Sequence, residues 1–347
     1  MLYVGIAGCG YWGPKHIRVC NEIKDARLAH VCDLDAAKLK QVRSQYPVET
    51  TTNFDEMLDS GIDAVIIATP VNTHFDLAKR ALLSGKHVLI EKPITSSSRE
   101  ALELIELAEK QRLVLMAGHT FQYTPAVVYL QQIIKKGELG EIYVVESDRL
   151  NLGLFRRDVN VLWDLAPHDI SIILSLMNSE PVAVCARGMY HVDPEICDVA
   201  YMEIMFANGA MGHVHVSWLH PRKIRQTCIV GSRKMAVYDD VSDTEKIHVY
   251  DKGLAVPSAI NAGNNQVKFS AWPPNYRYGD VVIPFISSEE PLKAEFNHFI
   301  DCIREGTAPR SDGWSGYKVT SILESADKSL QNEGQWERLD IKETVGV

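Results

Sequence analysis

The 347-residue chain lacks several features that would assign it at once to a class of protein. No apolar run reaches the roughly 18 residues that a membrane-spanning helix needs, and no block of lysine or arginine stands out in a chain with a formal net charge of -9. Because binding to nucleic acid requires clustered cations, we expect neither nucleic acid nor a membrane among its partners. The start, MLYVGIAG, lacks the basic and long apolar segments of a signal peptide, so we expect a cytoplasmic protein.

The cysteines also lack a pattern. There are seven of them, scattered, with no C-x-x-C spacing, and their mostly apolar surroundings favour buried thiols in a reducing compartment over disulfides. His213 and His215 have the H-x-H spacing that can bind a metal, but no third ligand is obvious. We therefore predict no metal site. No Ser-His-Asp order or nucleophile elbow is visible either.

What the sequence does contain is an alternation of short apolar runs and amphipathic stretches over its first 120 or so residues. Helix signals separate the runs: Asp35 and Asn53 are placed to cap helices, Ser97 and Glu100 form a capping box, and Gly85 ends a helix. This alternation predicts parallel β-α-β units, hence an α/β domain with a doubly wound sheet. The predicted strands are 2–8, 27–33, 63–70, 87–93 and 113–118.

After about residue 121 the pattern changes to long extended stretches, followed near the end by two amphipathic segments typical of helices. The Asn208-Gly209 pair between alternating apolar runs is a strong hairpin signal. We therefore predict a dinucleotide-binding domain at 1–121 and an α+β domain with a mostly antiparallel sheet at 122–347. The one long irregular stretch, 261–280, is predicted to be a loop.

The motif Gly8-x-Gly10-x-x-Gly13 lies between the first predicted strand and the helix that follows it. Glycines there allow a tight turn, the approach of a pyrophosphate, and close helix packing, while the helix N-terminus attracts the anion. Asp33 follows at the end of the second strand, where a carboxylate accepts hydrogen bonds from a ribose and repels a 2′-phosphate. The next residues, Leu34 and Asp35, include no arginine, so we predict NAD in preference to NADP.

Lys92 is the first candidate for chemistry. It follows a strand at its carboxyl end, where ligands bind in such sheets, and Pro93 favours an extended backbone at Lys92. A lysine so placed can hold a substrate hydroxyl and stabilise negative charge on its oxygen. His74 and His119 also follow apolar strands and are expected near the cofactor cleft.

Asp164 and His168 are the second candidate pair. If the segment WDLAPHDISIILSLM is helical, both lie on one face and Asp169 is turned away. A neutral histidine can take the proton of an alcohol as hydride leaves its carbon. The segment also reads as a capped helix with a packing histidine, and Pro167 leaves open whether the helix begins only there.

Several side chains near this segment are candidates for substrate binding. Arginines at 149, 156 and 157 precede Asp164, and they can either meet an anionic substrate or simply face solvent. From this group and its surroundings we take Arg149, Arg156 and Trp163 as candidate substrate residues.

Taken together, the sequence resembles the Gfo/Idh/MocA family of oxidoreductases. The segments GIAGCGYWG, ATPVNTH (68–74), EKP (91–93), Y-T-P (123–125) and Asp164-x-x-x-His168 match its landmarks in order. The resemblance implies a Rossmann domain, an open C-terminal sheet that makes the contact of a homodimer or homotetramer, and catalysis by Lys92 and His168 with Asp164 positioning the substrate. It also implies a set of cofactor contacts: Gly8, Gly10, Tyr11, Trp12, Gly13, Asp33, Thr69, Pro70, His74, Glu91, Lys92 and Gln122. The sequence departs from a common family pattern at Thr120 and Gln122, where many members have Asn and Arg.

Within the family, NLGLFRRDVNVLWDLAPHDISIIL resembles the branch that oxidises the 3-hydroxyl of nucleotide-linked amino sugars, such as UDP-N-acetylglucosamine or its uronate. The expected function is therefore NAD-dependent oxidation of a secondary sugar hydroxyl. Alternatives are a 3-dehydrogenase of a glycoside, aminoglycoside or inositol, and a glycosidase or lyase that oxidises its sugar transiently on a retained NAD. A non-catalytic NAD sensor would lack Lys92 or His168, and both are present.

Overall fold

A computed structural model describes residues 1–255 and 275–342 of the chain, which form two sheets with their helices. The first sheet has six strands in the order β3-β2-β1-β4-β5-β6, all parallel. Its strands are β1 Leu2–Ala7, β2 Ala26–Cys32, β3 Glu49–Thr51, β4 Ala64–Ile67, β5 His87–Glu91 and β6 Leu115–Gly118. The helices between them are α1 Gly13–Glu22, α2 Ala36–Gln45, α3 Phe54–Leu58, α4 His74–Leu83 and α5 Ser98–Gln111.

Helices cover both faces of this sheet. Successive strand residues point to opposite faces, and because these residues are apolar, both faces have to be buried. In β4, Ile66 packs in the cluster that contains α1 and α2, whereas Val65 and Ile67 pack with α3, α4 and α5. The predicted caps at Asp35 and Asn53 accept hydrogen bonds from the first-turn amides of α2 and α3. The predicted doubly wound sheet is confirmed.

The second sheet has nine strands in the order β14-β13-β12-β11-β7-β10-β9-β8-β15. Every neighbouring pair is antiparallel except β7 with β10. The strands are β7 Ile142–Leu152, β8 Pro181–Met189, β9 Val199–Phe206, β10 Met211–Ser217, β11 Leu219–Gly231, β12 Met235–Asp239, β13 Ile247–Ala255, β14 Asn275–Val282 and β15 Glu337–Arg338. The predicted hairpin joins β9 to β10, with Gly209 at a φ of 84°.

Four further helices complete the described part of the chain: α6 Pro125–Lys135, α7 Val161–Leu176, α8 Pro291–Glu305 and α9 Gly313–Gln331. Helices α7 and α9 pack on one face of the second sheet, around side chains such as Met202 and Val214. Helix α8 returns to the first sheet, where Phe296 and Phe299 pack with α1. The second domain is therefore not one continuous segment. None of the described helices combines the length and the apolar character that crossing a membrane requires.

The structure adds one strand that the sequence did not predict, fixes one helix start that it left open, and corrects one predicted loop. The short edge strand β3 was not predicted, because its three residues, Glu49–Thr51, are polar and lie at least partly exposed. Helix α7 does not begin at Pro167 but at Val161, capped by the side chain of Asn160, and Pro167 lies inside it. Of the predicted loop 261–280, residues 275–280 belong to β14, and the rest lies outside the described residues.

Candidate active site

A pocket of about 830 Å³ lies at the carboxyl ends of β1, β2 and β4, where ligands bind in open α/β sheets. We call it the cofactor pocket. Seven of the residues predicted to contact a cofactor line it: Gly8, Gly10, Tyr11, Trp12, Asp33, Thr69 and Pro70.

The three glycines of the loop beside this pocket have different structural roles. Gly8 has a φ of 98°, and a Cβ there would lie 2.5 Å from the carbonyl oxygen of Ala68. A Cβ on Gly13 would lie 1.9 Å from the carbonyl oxygen of Gly8, so only glycine allows α1 to start this close to β1. Gly10 has open space where its Cβ would be, and no side chain caps α1. The N-terminus of α1, with the positive end of its dipole, therefore faces room for a pyrophosphate.

Asp33 lies at the end of β2 with its carboxylate beside the glycine loop. Its Oδ2 accepts a hydrogen bond from the amide of Cys9 at 2.5 Å, and its Oδ1 accepts one from the amide of Asp35 at 2.8 Å. The ammonium of Lys38 lies 4.0 Å from Oδ2. The carboxylate is thus fixed at the pocket wall with lone pairs left for a hydroxyl group, so that the residues present fit a dinucleotide with an unmodified ribose.

Lys92 and α7 meet across the boundary between the two sheets. Lys92 directly follows β5, and its Nζ donates a hydrogen bond to the backbone carbonyl oxygen of Asp164 at 2.8 Å. Asp164 and His168 are four residues apart on α7 and share one helix face. The His168 ring packs against Phe121, with 4.8 Å between ring centroids. Lys92, Asp164 and His168 therefore lie together, as the sequence predicted.

Burial and nearby charges determine the protonation states of Lys92 and His168. Burial lowers the pKa of Lys92 from its usual 10.5, although the nearby charges of Asp164 and Glu91 oppose the shift. Burial also holds the pKa of His168 well below 6.5, and the positive charges of Lys92 and Arg149 lower it further. His168 is thus a neutral base beside an ammonium group, the arrangement that removes a proton from an alcohol and stabilises the oxygen.

The side chain of Asp164 is oriented by two donors. Its Oδ2 accepts a hydrogen bond from the Trp218 indole at 3.1 Å, and its Oδ1 accepts one from Arg156 at 3.4 Å. Trp218 is buried between the second sheet and α7. Arg156, which also binds Asp158, reaches the site through this contact. The carboxylate is consequently aimed by the second domain and keeps lone pairs for a substrate hydroxyl.

A second pocket, of about 460 Å³, lies beside the imidazole, and we call it the His168 pocket. Trp12 borders both this pocket and the cofactor pocket, which makes the two neighbours. The other walls come from the turn after β6, including Thr120 and Phe121, and from Leu292 of α8. Four charged residues also line the pocket: Lys15, Arg18, Asp240 and Glu290.

Three predicted cofactor contacts support the site from behind instead. Glu91 is buried, and its carboxylate binds Nε2 of His16 at 2.8 Å and the amide of Lys92 at 3.2 Å. Both ring nitrogens of His74 lie 2.9 Å from backbone carbonyl oxygens, of Pro93 and Thr69. These polar atoms already have protein partners, so these side chains hold the loops that carry Lys92 and Thr69.

Gln122 is the third of these residues. It is buried, and its Nε2 donates to the carbonyl oxygen of Ser171 and to Oγ of Ser315, both at 3.3 Å. The amide therefore joins the turn after β6 to α7 and α9. It does not line the cofactor pocket, which corrects the expectation of a cofactor contact.

Of two further predicted substrate residues, Arg149 is placed differently, whereas Trp163 lines a pocket of about 470 Å³ and stays a prediction. Arg149 is buried and binds the carboxylate of Asp169 through Nε at 2.6 Å and Nη2 at 3.1 Å, which neutralises a charge that was expected to meet substrate. The indole of Trp163 donates to Asp327 of α9 at 2.5 Å. Of the three candidates, only Arg156 reaches Asp164.

Sequence reasoning missed four residues that shape the site: His16, Phe121, Trp218 and Glu295. Each acts across a large distance in sequence; the Trp218 indole, for example, binds a carboxylate 54 residues away. Only His16 carries a local signal, since it lies three residues after Gly13 on the inner face of α1. The others depend on contacts between elements that no local pattern connects.

Two family models match the chain. The model described as "Oxidoreductase family, NAD-binding Rossmann fold" matches residues 2–119, and "GFO/IDH/MocA C-terminal domain" matches residues 127–237. The chain is 30% identical over 319 residues to the UDP-N-acetylglucosamine 3-dehydrogenase of Acidithiobacillus ferrooxidans, covering 92% of this chain and 94% of that protein. It is 24% identical over 361 residues to the myo-inositol 2-dehydrogenase of Thermotoga maritima, covering 99% and 100%.

Comparison with solved structures gives the same relative. The UDP-N-acetylglucosamine 3-dehydrogenase from Acidithiobacillus ferrooxidans superposes with a TM-score of 0.78 at 26% identity, covering 95% of this chain and 98% of that one. The match thus extends over nearly the whole length of both chains. The chain belongs to the Gfo/Idh/MocA family and is an oxidoreductase with a nicotinamide-dinucleotide-binding Rossmann domain that acts on CH–OH groups.

Proposed function

We propose that the protein is an NAD-dependent sugar dehydrogenase that oxidises a secondary hydroxyl, the 3-hydroxyl of a nucleotide-linked sugar. The observation that carries this proposal is the convergence of Lys92, Asp164 and His168 next to the cofactor pocket. A cation, a neutral imidazole and an oriented carboxylate are the three groups that the oxidation of one hydroxyl beside another requires.

Each residue has one role in the proposed reaction. A bound nicotinamide cofactor supplies the acceptor for the hydride that leaves the carbinol carbon. His168 takes the proton of the hydroxyl, which its neutral state permits. The Lys92 ammonium group donates one hydrogen bond to the backbone carbonyl oxygen of Asp164. Its other N–H groups donate to the oxygen of the substrate hydroxyl and stabilise the negative charge that develops there. Asp164 accepts a hydrogen bond from a neighbouring hydroxyl and fixes the ring.

NAD is proposed over NADP because of Asp33. Its carboxylate is fixed by two backbone amides at the end of β2 and borders the cofactor pocket. A carboxylate there accepts hydrogen bonds from ribose hydroxyls and repels a 2′-phosphate. The Lys38 ammonium lies 4.0 Å from Oδ2 of Asp33 and forms an ion pair with that carboxylate.

The choice of a nucleotide-linked sugar rests on likeness over the full length of the chain. The relative from Acidithiobacillus ferrooxidans, which is named for the 3-dehydrogenation of UDP-N-acetylglucosamine, aligns with 92% of this chain. The inositol dehydrogenase from Thermotoga maritima aligns with 99% of it at lower identity. The oxidation of an inositol is accordingly the competing proposal for the same three residues.

A substrate panel tests the proposal. The enzyme is incubated with NAD or NADP and with UDP-N-acetylglucosamine, its uronate, N-acetylglucosamine, a methyl glycoside, an aminoglycoside and myo-inositol, and the reduced cofactor is followed by absorbance. We expect the highest kcat/KM with NAD and a UDP-sugar. Higher kcat/KM with inositol or a free glycoside would contradict the choice of substrate. Product formation without net reduced cofactor would instead indicate transient oxidation on a retained NAD.

A second copy of this chain is proposed as partner, bound through the sheet face that α7 and α9 leave uncovered. On that face one apolar row runs in register across five strands: Met205, Met211, Val144, Val230 and Met235. Met205 is 37% exposed, unlike the buried residues on the opposite face. Extended apolar surface of this kind is typical of an interface.

Light scattering on a sizing column tests the partner. Met211→Glu places a charge in the middle of the row and is expected to shift a dimer or tetramer to a smaller species. Leu83→Glu, at an exposed apolar position of α4 outside the row, serves as the matched control. An unchanged mass for Met211→Glu would rule out this face as the contact.

A cytoplasmic location is also proposed, on the basis of the thiols. All seven cysteines lie in the described part of the chain and all are free. Free thiols of this number are typical of a reducing compartment. Fractionation of expressing cells, with the protein found in the cytoplasmic fraction, is the expected result.

A further inference from the structure

The core behind the His168 pocket contains a carboxyl group that the proposed reaction does not use. Glu295 of α8 is completely buried, and its Oε2 accepts a hydrogen bond from the Thr120 hydroxyl at 2.9 Å. Its Oε1 makes no hydrogen bond within residues 1–255 and 275–342. A buried polar atom without a partner costs stability, and such atoms persist at sites that are used.

Glu295 lies one layer behind the wall of the His168 pocket. Thr120, which holds it, lines that pocket together with Phe121, the residue on which the His168 ring packs. Leu292, three residues earlier on the same helix, lines the pocket as well. A charge that enters the pocket is therefore separated from Glu295 by a single side chain, in an interior where electrostatic interactions are stronger than in water.

A second buried carboxyl lies close by. Glu91 is held by His16 and by the amide of Lys92, and a Cβ on Gly118 would lie only 3.5 Å from its Oε2. That carboxylate thus reaches the end of β6, from which Thr120 follows two residues later. Burial raises the pKa of Glu295 well above 4.5, and the charge of Glu91 raises it further.

The other titratable groups around Glu295 do not neutralise it. His119, at the end of β6, is fully buried, neither of its nitrogens is bonded among the described residues, and burial lowers its pKa to about 4. Tyr123, on the turn after β6, has its pKa raised by burial, and the charge of Glu295 adds to that shift. On α1, His16 is already paired with Glu91, Arg18 is paired with Glu290, and the Lys15 ammonium lies over the ring of Trp12. Glu295 therefore has no cation of its own in the described core.

We propose that Glu295 distinguishes the oxidised from the reduced cofactor: its carboxyl group is protonated in the free enzyme, loses the proton when the positively charged nicotinamide ring binds in the His168 pocket, and keeps it when the neutral reduced ring binds. The O–H bond of the carboxyl breaks, the proton passes to solvent buffer, and the carboxylate remains opposite the ring. The bound cation supplies the counter-charge that the described core lacks. Binding of the oxidised form is thereby strengthened at neutral and higher pH.

The inference rests on the cofactor proposed above and not on the sugar. Isothermal titration calorimetry is therefore run without sugar, with NAD+ and with NADH, at pH 7 in two buffers of different ionisation enthalpy. The wild-type enzyme is expected to release up to about one proton with NAD+ and clearly less with NADH. A failed substrate panel leaves this result unaffected, so the two failures are distinguishable.

Glu295→Gln keeps an oxygen that accepts from Thr120 but has no ionisable proton. In this variant we expect the difference in proton release between NAD+ and NADH to disappear. Its Kd for NAD+ is expected to rise about tenfold, which corresponds to about 1.4 kcal/mol, with the Kd for NADH changed less than about twofold. Between pH 6 and 9 the Kd for NAD+ falls as pH rises in the wild type and is flatter in the variant.

Glu305→Gln removes a carboxylate from the exposed end of the same helix and is expected to behave as the wild type. Unchanged thermal melting and NADH affinity establish that Glu295→Gln is folded. Equal proton release by the wild type with both cofactor forms would overturn the proposal. So would a Glu295→Gln enzyme that keeps the wild-type difference, or a Glu305→Gln enzyme that loses it.

Discussion

Lys92 of the Rossmann domain donates a hydrogen bond to the backbone carbonyl oxygen of Asp164 on α7, across 2.8 Å. Pro167 lies in the same stretch of helix, and because it has no N–H, the carbonyl four residues before it, that of Trp163, receives no helix hydrogen bond from it. The ammonium group of Lys92 and the helix that carries His168 are therefore fixed to each other directly, although they belong to different domains.

The first prediction concerns Lys92 itself. Lys92→Met removes both the contact with the Asp164 carbonyl and the charge that stabilises the alkoxide, so kcat is expected to fall by at least about 10²-fold. Cofactor affinity, measured by fluorescence titration, is expected to stay within a few-fold, because Lys92 does not line the cofactor pocket. Lys40→Met, at an exposed position of α2, is the control, and full activity of Lys92→Met would contradict the assignment.

The pH dependence of kcat/KM for the sugar, measured at saturating NAD, is the second prediction. The pKa of His168 lies well below 6.5, so the base stays neutral and activity holds as pH falls to 6.5, declining only at lower pH. The pKa of Lys92 is below 10.5, so the ammonium is lost, and activity with it, before pH 10.5 is reached. Rates from pH 5 to 11 check both limbs. An acid limb centred above 6.5 would show that another group acts as the base.

In His168→Gln the acid limb is expected to disappear along with at least about 10²-fold of kcat, because glutamine cannot take the proton. The basic limb, which belongs to Lys92, is expected to remain. Loss of both limbs together would indicate that the two groups titrate as one coupled pair.

Asp33 carries the third prediction. Asp33→Ser removes a charge-assisted acceptor for the ribose, which is worth roughly 1.5–3 kcal/mol, so kcat/KM for NAD is expected to fall at least about tenfold. The repulsion of a 2′-phosphate disappears and leaves the ammonium of Lys38, so kcat/KM for NADP is expected to rise. Steady-state rates with both cofactors measure the ratio.

Asp35→Ser is the matched control for this change. Asp35 lies two residues further on, and its side chain caps α2 by accepting from the amide of Ala37. Serine is also a good cap, so the cofactor preference is expected to stay as in the wild type. A preference that shifts equally in both variants would mean that loop stability, and not the charge of Asp33, sets it.

The parts of the molecule that the sequence predicts are those with a local cause. The glycine loop follows from Gly8 and Gly13, where a Cβ would clash with the backbone, and from Gly10, which leaves open space beside the loop. The β9–β10 hairpin follows from the turn preference of Asn208-Gly209. The position of Asp33 at the cofactor pocket is predicted by its spacing from the glycine motif within one β-α-β unit. Each depends on residues within one or two neighbouring elements, so their pattern survives in the sequence.

The parts that sequence reasoning misses depend on contacts between distant elements. Arg149 suggests a polar surface when its sequence is read locally, but its ion pair with Asp169 holds it in the core. The same is true of Glu295, a helix residue whose one hydrogen-bond partner among the described residues is Thr120, 175 residues away. Burial and pairing at this range follow from tertiary packing, which strand and helix periodicity do not encode.

The fourth prediction concerns stability in acid and the buried imidazole of His119. Burial lowers its pKa from 6.5 to about 4, so between these values the unfolded chain binds the proton more readily than the folded protein. Stability is therefore lost as pH falls below 6.5, by about 2 kcal/mol at pH 5 for this group. Glu295 acts in the opposite direction, because its pKa is raised. The net slope of the wild type thus understates the effect of His119.

His119→Phe isolates that effect. Neither ring nitrogen is hydrogen-bonded among the described residues, so the apolar ring loses no partner and fills a similar volume. Urea unfolding at pH 7 and pH 5 gives the free energy of unfolding in both proteins. The drop from pH 7 to pH 5 is expected to be smaller in the variant by about 2 kcal/mol, whatever its absolute stability. An equal drop in the two proteins would mean that His119 titrates alike in the folded and unfolded chain, and that its burial carries no penalty for charge.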